Sequence, residues 1–107
     1  MNDSKENVVL TEAVYYILLS LLKPLHGYGI MLNINQMSNG RVNLAPGTLY
    51  GAISALLEKE WIKSISGEND SRKKEYVITD MGKHILSNEV KRLKELIYNG
   101  ETRLGGV

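Results

Sequence analysis

Apolar residues follow a helical period in the first part of the chain, after a polar start. From Thr11 onward they recur three and four positions apart, which is the spacing of one helix face. Thr11 suits an N-cap because its hydroxyl can accept a hydrogen bond from a free N–H of the first turn. Pro24 ends the stretch, since proline also disfavours helix at the residue before it. The apolar positions of this predicted helix are Val14, Ile17, Leu18, Leu21 and Leu22.

Two more helices are predicted in the middle of the chain. The second covers about residues 27–38, and Gly40 is a suitable stop behind it. The third covers residues 46–59, because Pro46 fits a first helical turn, where its missing N–H is not needed. Between them, residues 41–44 alternate weakly and are compatible with a short edge strand. The core-facing positions of the third helix are Leu49, Ala52, Ile53 and Leu56.

The residue pattern in the last third of the chain predicts two strands and a long helix. Residues 61–66 and 74–78 have strand character, and the polar loop between them is too long for a tight hairpin turn. Thr79 is the N-cap candidate for a last helix that ends at about Tyr98. The predicted fold is therefore mainly α with a small β-hairpin wing: a winged helix-turn-helix followed by a long C-terminal helix.

Length and composition are those of one ordinary soluble domain. The 107 residues would not support two separate cores, and no apolar run reaches the roughly 20 residues of a membrane span. We expect a flexible segment at 1–10, a winged helix-turn-helix at 11–78, a dimerisation helix at 79–98 and a flexible tail at 99–107. With no cysteine and no recognisable signal peptide, we expect a cytoplasmic protein. Because the net charge is only +1, a nucleic-acid surface must come from local clustering.

The outward face of the third helix is the first candidate binding surface. It carries Gly47, Gly51 and Ser54, with Thr48 and Tyr50 on its flanks. Glycine inside a helix costs about 1 kcal/mol relative to alanine, so an exposed face gains from it only where something approaches the backbone. A helix in a DNA major groove is one such case, in which the hydroxyl side chains reach phosphates or base edges. A short helix with a neutral surface is the alternative.

The wing is the second candidate binding surface. Arg72, Lys73 and Lys74 are consecutive cations near the end of the predicted loop, where they could bind phosphates. Acidic neighbours bring the local charge close to zero, so a solvated turn remains an alternative.

The last helix carries an apolar seam that predicts a homodimer. Leu86, Val90, Leu93 and Ile97 are spaced by four, three and four residues, as in a coiled coil. A helix of about 20 residues is about 30 Å long, more than a domain of this size covers with its own core. We expect a second copy to cover the seam, with Tyr15 of the first helix beside it. A face that packs within the same chain is the alternative.

Catalytic and metal chemistry have no support in the sequence. Neither His26 nor His84 has a carboxylate or another histidine at metal-ligand spacing. There is no nucleophile elbow and no phosphate-binding glycine loop. We predict no enzyme, no metal site and no cofactor.

Three ordered blocks of the sequence resemble the PadR-like transcriptional regulators. The first is His26-Gly27-Tyr28-Gly29-Ile30, in which Gly29 departs from the glutamate usual in the family. The second is Pro46-Gly47-Thr48-Leu49-Tyr50, continued by Leu56, Glu58 and Trp61-Ile62. The third is Arg72-Lys73 followed by Tyr76, Thr79 and Gly82.

The resemblance implies a dimeric repressor that binds inverted repeats in double-stranded promoter DNA. It implies DNA contacts from Gly47, Thr48 and Tyr50, a phosphate contact from Tyr28, and the wing cations as a third contact. Some relatives bind flat aromatic drugs through a tryptophan of the last helix. This helix has no tryptophan and departs from that pattern, which argues against an aromatic clamp. A small hydrophobic or aromatic effector is left as an open alternative. A protein-interaction module, or a small-molecule-binding protein without specific DNA binding, are the alternative functions.

Overall fold

The computed structural model describes residues 8–65 and 74–105 and shows a winged helix. It is mainly α-helical with a small antiparallel sheet, so the predicted fold class is confirmed. The helices are α1 (Glu12–Ser20), α2 (Gly27–Met37), α3 (Pro46–Glu58) and α4 (Asp80–Arg103). The strands are β1 (Leu25–His26), β2 (Ile62–Ser64) and β3 (Glu75–Ile78).

Both predicted threonine caps are confirmed. The hydroxyl of Thr11 accepts the N–H of Val14 at 3.2 Å, and that of Thr79 accepts the N–H of Gly82 at 3.0 Å. The Thr79 hydroxyl also donates to the carbonyl of Glu60 at 2.7 Å. The Thr79 side chain therefore caps the start of α4 and also bonds it to Glu60, just after the end of α3.

The loop between α2 and α3 contains no strand, so the edge strand expected at 41–44 is wrong. Asn39 and Gly40 have positive φ angles of 55° and 79° and turn the chain away from α2. The N–H of Val42 then donates to the Ser38 hydroxyl at 2.9 Å, so it does not need a ladder partner. Arg41 forms an exposed ion pair with Glu12 at the start of α1.

The sheet has the order β1-β3-β2, and both pairings are antiparallel. The predicted hairpin is present, although β2 is three residues long and shorter than its apolar pattern. The third strand is β1, in which Leu25 pairs with Tyr76 and His26 pairs with Glu75. This pairing brings the start of α2 beside the start of β3. The loop between β2 and β3, with the predicted wing cations Arg72 and Lys73, lies outside the described residues.

The core lies between α1, α2, α3, the sheet and the first half of α4. All the predicted inward positions of α3 except half-buried Ala52 are buried. Trp61 is half-buried at the edge of the core, with the Lys59 ammonium 5.5 Å from its ring centroid. The largest fully buried side chains are Ile17, Leu18, Leu21, Ile30, Ile34, Leu49 and Ile62.

Helix α4 is longer than its sequence pattern predicts. It continues past Tyr98 to Arg103, so residues 99–103 are helical and the expected tail at 99–107 is wrong over that stretch. Asp80 in the first turn and Arg103 in the last turn complement the helix dipole. Beyond Ile97, Gly100 in this extra turn and Leu104 at the C-cap continue the four-three spacing of the seam.

Candidate nucleic-acid interface

The outward face of α3 is open, as its spacing predicts. Gly47, Thr48, Gly51 and Ser54 are exposed, whereas Leu49 is completely buried. A Cβ atom added at Gly47 or Gly51 would meet no atom within 4 Å. Packing among the described residues therefore gives no reason for glycine at either position.

Tyr50 lies at one edge of this face and packs against the start of α2. Its side chain is 46% exposed, yet its ring crosses buried Gly27. A Cβ atom added to Gly27 would lie 2.6 Å from Cζ of Tyr50 and closer still to the hydroxyl oxygen. Burial raises the pKa of the Tyr76 hydroxyl, and the neighbouring Tyr50 adds to the rise. Tyr50 therefore stands where α3, α2 and β3 meet.

Tyr28 and Lys74 belong to the same end of the fold. Tyr28 is the second residue of α2 and is 60% exposed. Lys74 is exposed and directly precedes Glu75, which pairs with His26. The β1–β3 pairing thus places the described wing cation near the start of α2, which the sequence order alone does not indicate.

The two helices of the helix-turn-helix have open N-termini. Their N-cap residues, His26 for α2 and Ala45 for α3, make no side-chain capping bond, unlike the threonines of α1 and α4. First-turn N–H groups without a capping side chain can donate to an anion. Neither α2 nor α3 contains Lys or Arg, so their own recognition chemistry is that of hydroxyls and backbone amides.

The predicted dimer residues fall into two groups. Ile97 is 59% exposed, and Tyr15, Val90 and Leu93 are half-buried. Leu86 is only 5% exposed and belongs to the core of its own chain, so its assignment to a dimer surface is wrong. The first half of α4 covers the domain, and the available seam begins at Val90.

A buried carboxylate on α4 was not identified from the sequence. Glu89 is 2% exposed and accepts two hydrogen bonds from Arg92, at 2.8 and 2.7 Å. It also accepts the backbone N–H of Leu10 at 3.1 Å, which ties the N-terminal segment to α4. The hydrogen bonds from Arg92 lower the pKa of Glu89 against the opposing effect of burial. The available signal was a Glu–Arg pair three residues apart beside an apolar seam.

Within residues 8–65 and 74–105 no three His, Asp or Glu side chains are grouped to hold a metal ion. No helix in these same ranges is long and apolar enough to cross a membrane.

The fold and the α3 face define a winged helix-turn-helix protein, and comparison with known proteins gives its family. The sequence-family model described as "Transcriptional regulator PadR-like family" matches residues 17–88 of this chain. A PadR family transcription regulator from Clostridium difficile has a similar structure, with a TM-score of 0.68 and 28% identity, covering 86% of this chain and 98% of that one. A transcriptional regulator from Clostridium thermocellum also has a similar structure, with a TM-score of 0.67 and 25% identity. The match covers 83% of this chain and 90% of that one.

A sequence relative is much longer than this chain. An uncharacterised 37.1 kDa protein in a Streptomyces fradiae transposon is 36% identical over 73 residues. The match spans 68% of this chain and 20% of that protein.

The chain belongs to the PadR-like family of transcriptional regulators. The family match covers more than half of its length, and the resemblance carried by the three sequence blocks is confirmed. Members of this family are transcriptional regulators and not enzymes, in agreement with the prediction of no enzyme. Family membership also supports a DNA partner.

Proposed function

We propose that the protein is a cytoplasmic, sequence-specific DNA-binding repressor that acts as a homodimer on inverted repeats in promoter DNA. The observation that carries the proposal is the exposed face of α3, with two glycines that packing among residues 8–65 and 74–105 does not require. Bare backbone on an outward helix face allows close approach of a large partner. A major groove, about 12 Å wide, admits a helix in this way.

In this proposal α3 enters the major groove and its hydroxyl side chains make the specific contacts. Thr48 and Ser54 are exposed on the groove side and can donate to or accept from base edges. Tyr28 and Lys74 flank the groove from α2 and the wing and contact phosphates, which hold the register without reading sequence. Arg72 and Lys73 would extend these phosphate contacts.

The homodimer is supported by the exposed end of α4. Beyond the core, Val90, Leu93 and Ile97 continue the four-three spacing to Leu104, which is 78% exposed. A second copy of α4 can pack against this apolar seam, which the single chain leaves exposed at Ile97 and Leu104. Two-fold symmetry would then present two α3 helices to half-sites about 34 Å apart.

We propose that an effector, where one acts, is a small hydrophobic or aromatic molecule bound between α1 and α4. A cavity of about 280 Å³ lies beside the seam. It is lined by Leu10, Glu12, Tyr15, Tyr16, Glu89 and Leu93. If this proposal is right, a small aromatic compound bound in this cavity lowers the affinity of the protein for its DNA.

The test is an anisotropy titration with labelled DNA from upstream of the protein's own gene, at two salt concentrations, beside scrambled DNA. Tight, salt-sensitive binding to the upstream DNA alone is expected, because phosphate contacts release counterions. Equal and weak binding to both DNAs would contradict a specific regulator. Salt-independent association would instead favour the protein-interaction module.

Two substitutions locate the contacts. Tyr50→Ala and Arg72→Ala should each weaken binding to the upstream DNA by about 1–3 kcal/mol and leave the dimer intact. A Tyr50→Ala protein that binds as tightly as the parent would remove Tyr50 from the interface.

A further inference from the structure

Gly27 leaves the space that the Tyr50 side chain occupies. The glycine is the first residue of α2 and is buried, although α2 begins at the surface. An added Cβ atom would lie 2.6 Å from Cζ and 3.1 Å from Cε1 of Tyr50, well inside contact distance. Such an overlap is relieved only if the Tyr50 ring moves, and the ring has room to move because the side chain is 46% exposed. Any residue larger than glycine at position 27 must therefore displace Tyr50.

Backbone conformation does not explain this glycine. Among the described residues the glycines with positive φ are Gly40 and Gly105, so Gly27 has a conformation open to any residue. Glycine is a poor helix former, and its presence in the first turn of α2 needs a reason in packing. The ring of Tyr50 provides that reason.

The position of the ring decides what the Tyr50 hydroxyl can reach. In a helix-turn-helix the first helix crosses the DNA backbone while the second enters the groove. Tyr50 comes from the second helix, α3, but its hydroxyl lies over the start of the first, α2. In such a docking the hydroxyl lies on the side of the helix pair that faces the DNA backbone.

We infer that Gly27 is a positioning residue, which holds the Tyr50 hydroxyl over the start of α2 so that Tyr50 contacts a DNA phosphate and does not read a base. The inference rests on the proposed DNA-binding function. It assigns Tyr50 to affinity and leaves sequence reading to Thr48 and Ser54, because phosphate contacts position a protein and base contacts specify its site.

A double-mutant cycle tests the positioning role. Gly27→Ala, Tyr50→Ala and the double variant are compared by thermal unfolding and by anisotropy titration on the upstream DNA. Gly27→Ala alone should lower the unfolding midpoint and weaken DNA binding at least about fivefold. In the Tyr50→Ala background the overlap is gone. Gly27→Ala should then leave the unfolding midpoint no lower than that of Tyr50→Ala, and the DNA affinity within about twofold of it.

Gly29→Ala is the matched control within the same helix turn. A Cβ atom there would crowd Cδ2 of Leu25 at 2.7 Å and Nδ1 of His26 at 3.0 Å, not Tyr50. This variant should bind DNA within about twofold of the parent, because flexible side chains can make room. Losses that simply multiply in the double variant, or a Gly27→Ala protein that binds like the parent, would overturn the inference.

Tyr50→Phe tests which part of DNA the hydroxyl meets. The ring stays across Gly27 and only the hydroxyl is removed, so binding to upstream and scrambled DNA should weaken by the same factor, about three- to tenfold. A loss on upstream DNA alone would show base reading and contradict the phosphate assignment.

The outcomes also separate this inference from the proposed function. A parent protein that does not prefer its upstream DNA overturns the repressor, and the phosphate assignment with it. A parent that does prefer it, with an additive cycle, overturns the positioning role alone. The unfolding cycle reports the Gly27–Tyr50 contact without any DNA.

Discussion

Glycines of this chain serve different purposes at the scale of single residues. Gly82 allows α4 to start close to Trp61, because an added Cβ atom would overlap the Trp61 carbonyl oxygen. Gly27 makes room for a side chain, whereas Gly47 and Gly51 face open space. The first two are explained by the fold, and the last two by the proposed approach of DNA.

Gly51→Ala should separate stability from function. Alanine is favoured over glycine in a helix interior by about 1 kcal/mol, so the free energy of unfolding should rise by about that amount. The added methyl group lies on the outward face of α3 and should weaken binding to the upstream DNA by about 1 kcal/mol, roughly fivefold. Thermal unfolding and anisotropy titration measure the two effects.

Ser87→Ala is the control for this prediction, since Ser87 is exposed on α4, which the proposed docking keeps out of the groove. It should change stability slightly and leave DNA binding as in the parent. A Gly51→Ala protein with unchanged DNA affinity would mean that no partner approaches the α3 backbone.

At the scale of elements, Glu89 joins α4 to the segment before α1. Its buried carboxylate accepts hydrogen bonds from the Arg92 guanidinium, one turn further along α4. It also accepts the backbone N–H of Leu10, in the segment before α1. A buried charge is tolerated only where such bonds satisfy it. The N-terminal segment is therefore held against α4 by a contact whose strength depends on ionisation.

Glu89 makes stability depend on pH in a defined direction. Its pKa in the folded protein is lowered from the ordinary 4.5, mainly by the hydrogen bonds from Arg92. The stabilisation is complete above that ordinary value and is lost as the pH falls through the lowered pKa of the folded state. Glu89→Gln should therefore be less stable than the parent at about pH 7, and the difference should shrink below about pH 4.

Unfolding midpoints measured across this range check the prediction. Glu95→Gln, an exposed change on the same helix, should keep the acid sensitivity of the parent. A constant difference between the parent and Glu89→Gln at every pH would show that packing and not charge accounts for the loss.

The whole molecule is more extended than a compact domain. Its radius of gyration is 15.5 Å, compared with about 13 Å for a compact chain of about 100 residues. Helix α4 contributes to this extension, since its 24 residues are about 36 Å long and pass beyond the core. Its far end exposes Leu96, Ile97, Tyr98 and Leu104, which is the surface that the proposed dimer would cover.

Ile97→Asp should dissociate the dimer without unfolding the monomer. The side chain is 59% exposed in the single chain, so the core does not depend on it, but a charge in an apolar seam is left unpaired on association. We expect a monomer by sedimentation at concentrations where the parent is a dimer. Asn99→Asp adds the same charge on an exposed position next to the seam and should stay dimeric. If Ile97→Asp remained a dimer, the interface would have to lie on a surface other than this seam.

Sequence alone determined the helices, the inward and outward faces of α3 and the family. These depend on local periodicity, on caps such as Thr11 and Thr79, and on motifs within short stretches, all of which are fixed by neighbours along the chain. The helix starts were accurate for this reason. The end of α4 was not, because the glycine and polar residues after Tyr98 resemble a helix stop.

Tertiary structure decided what depends on contacts between distant residues. The two-residue strand β1 exists only because β3 pairs with it, and Leu86 is buried only because α4 packs over the core there. The contact of Tyr50 with Gly27 joins residues 23 positions apart, and that of Glu89 with Leu10 joins residues 79 apart. No local pattern encodes such pairs, since burial and partners are set by how the elements pack, and the fine placement of the candidate DNA contacts follows from that packing.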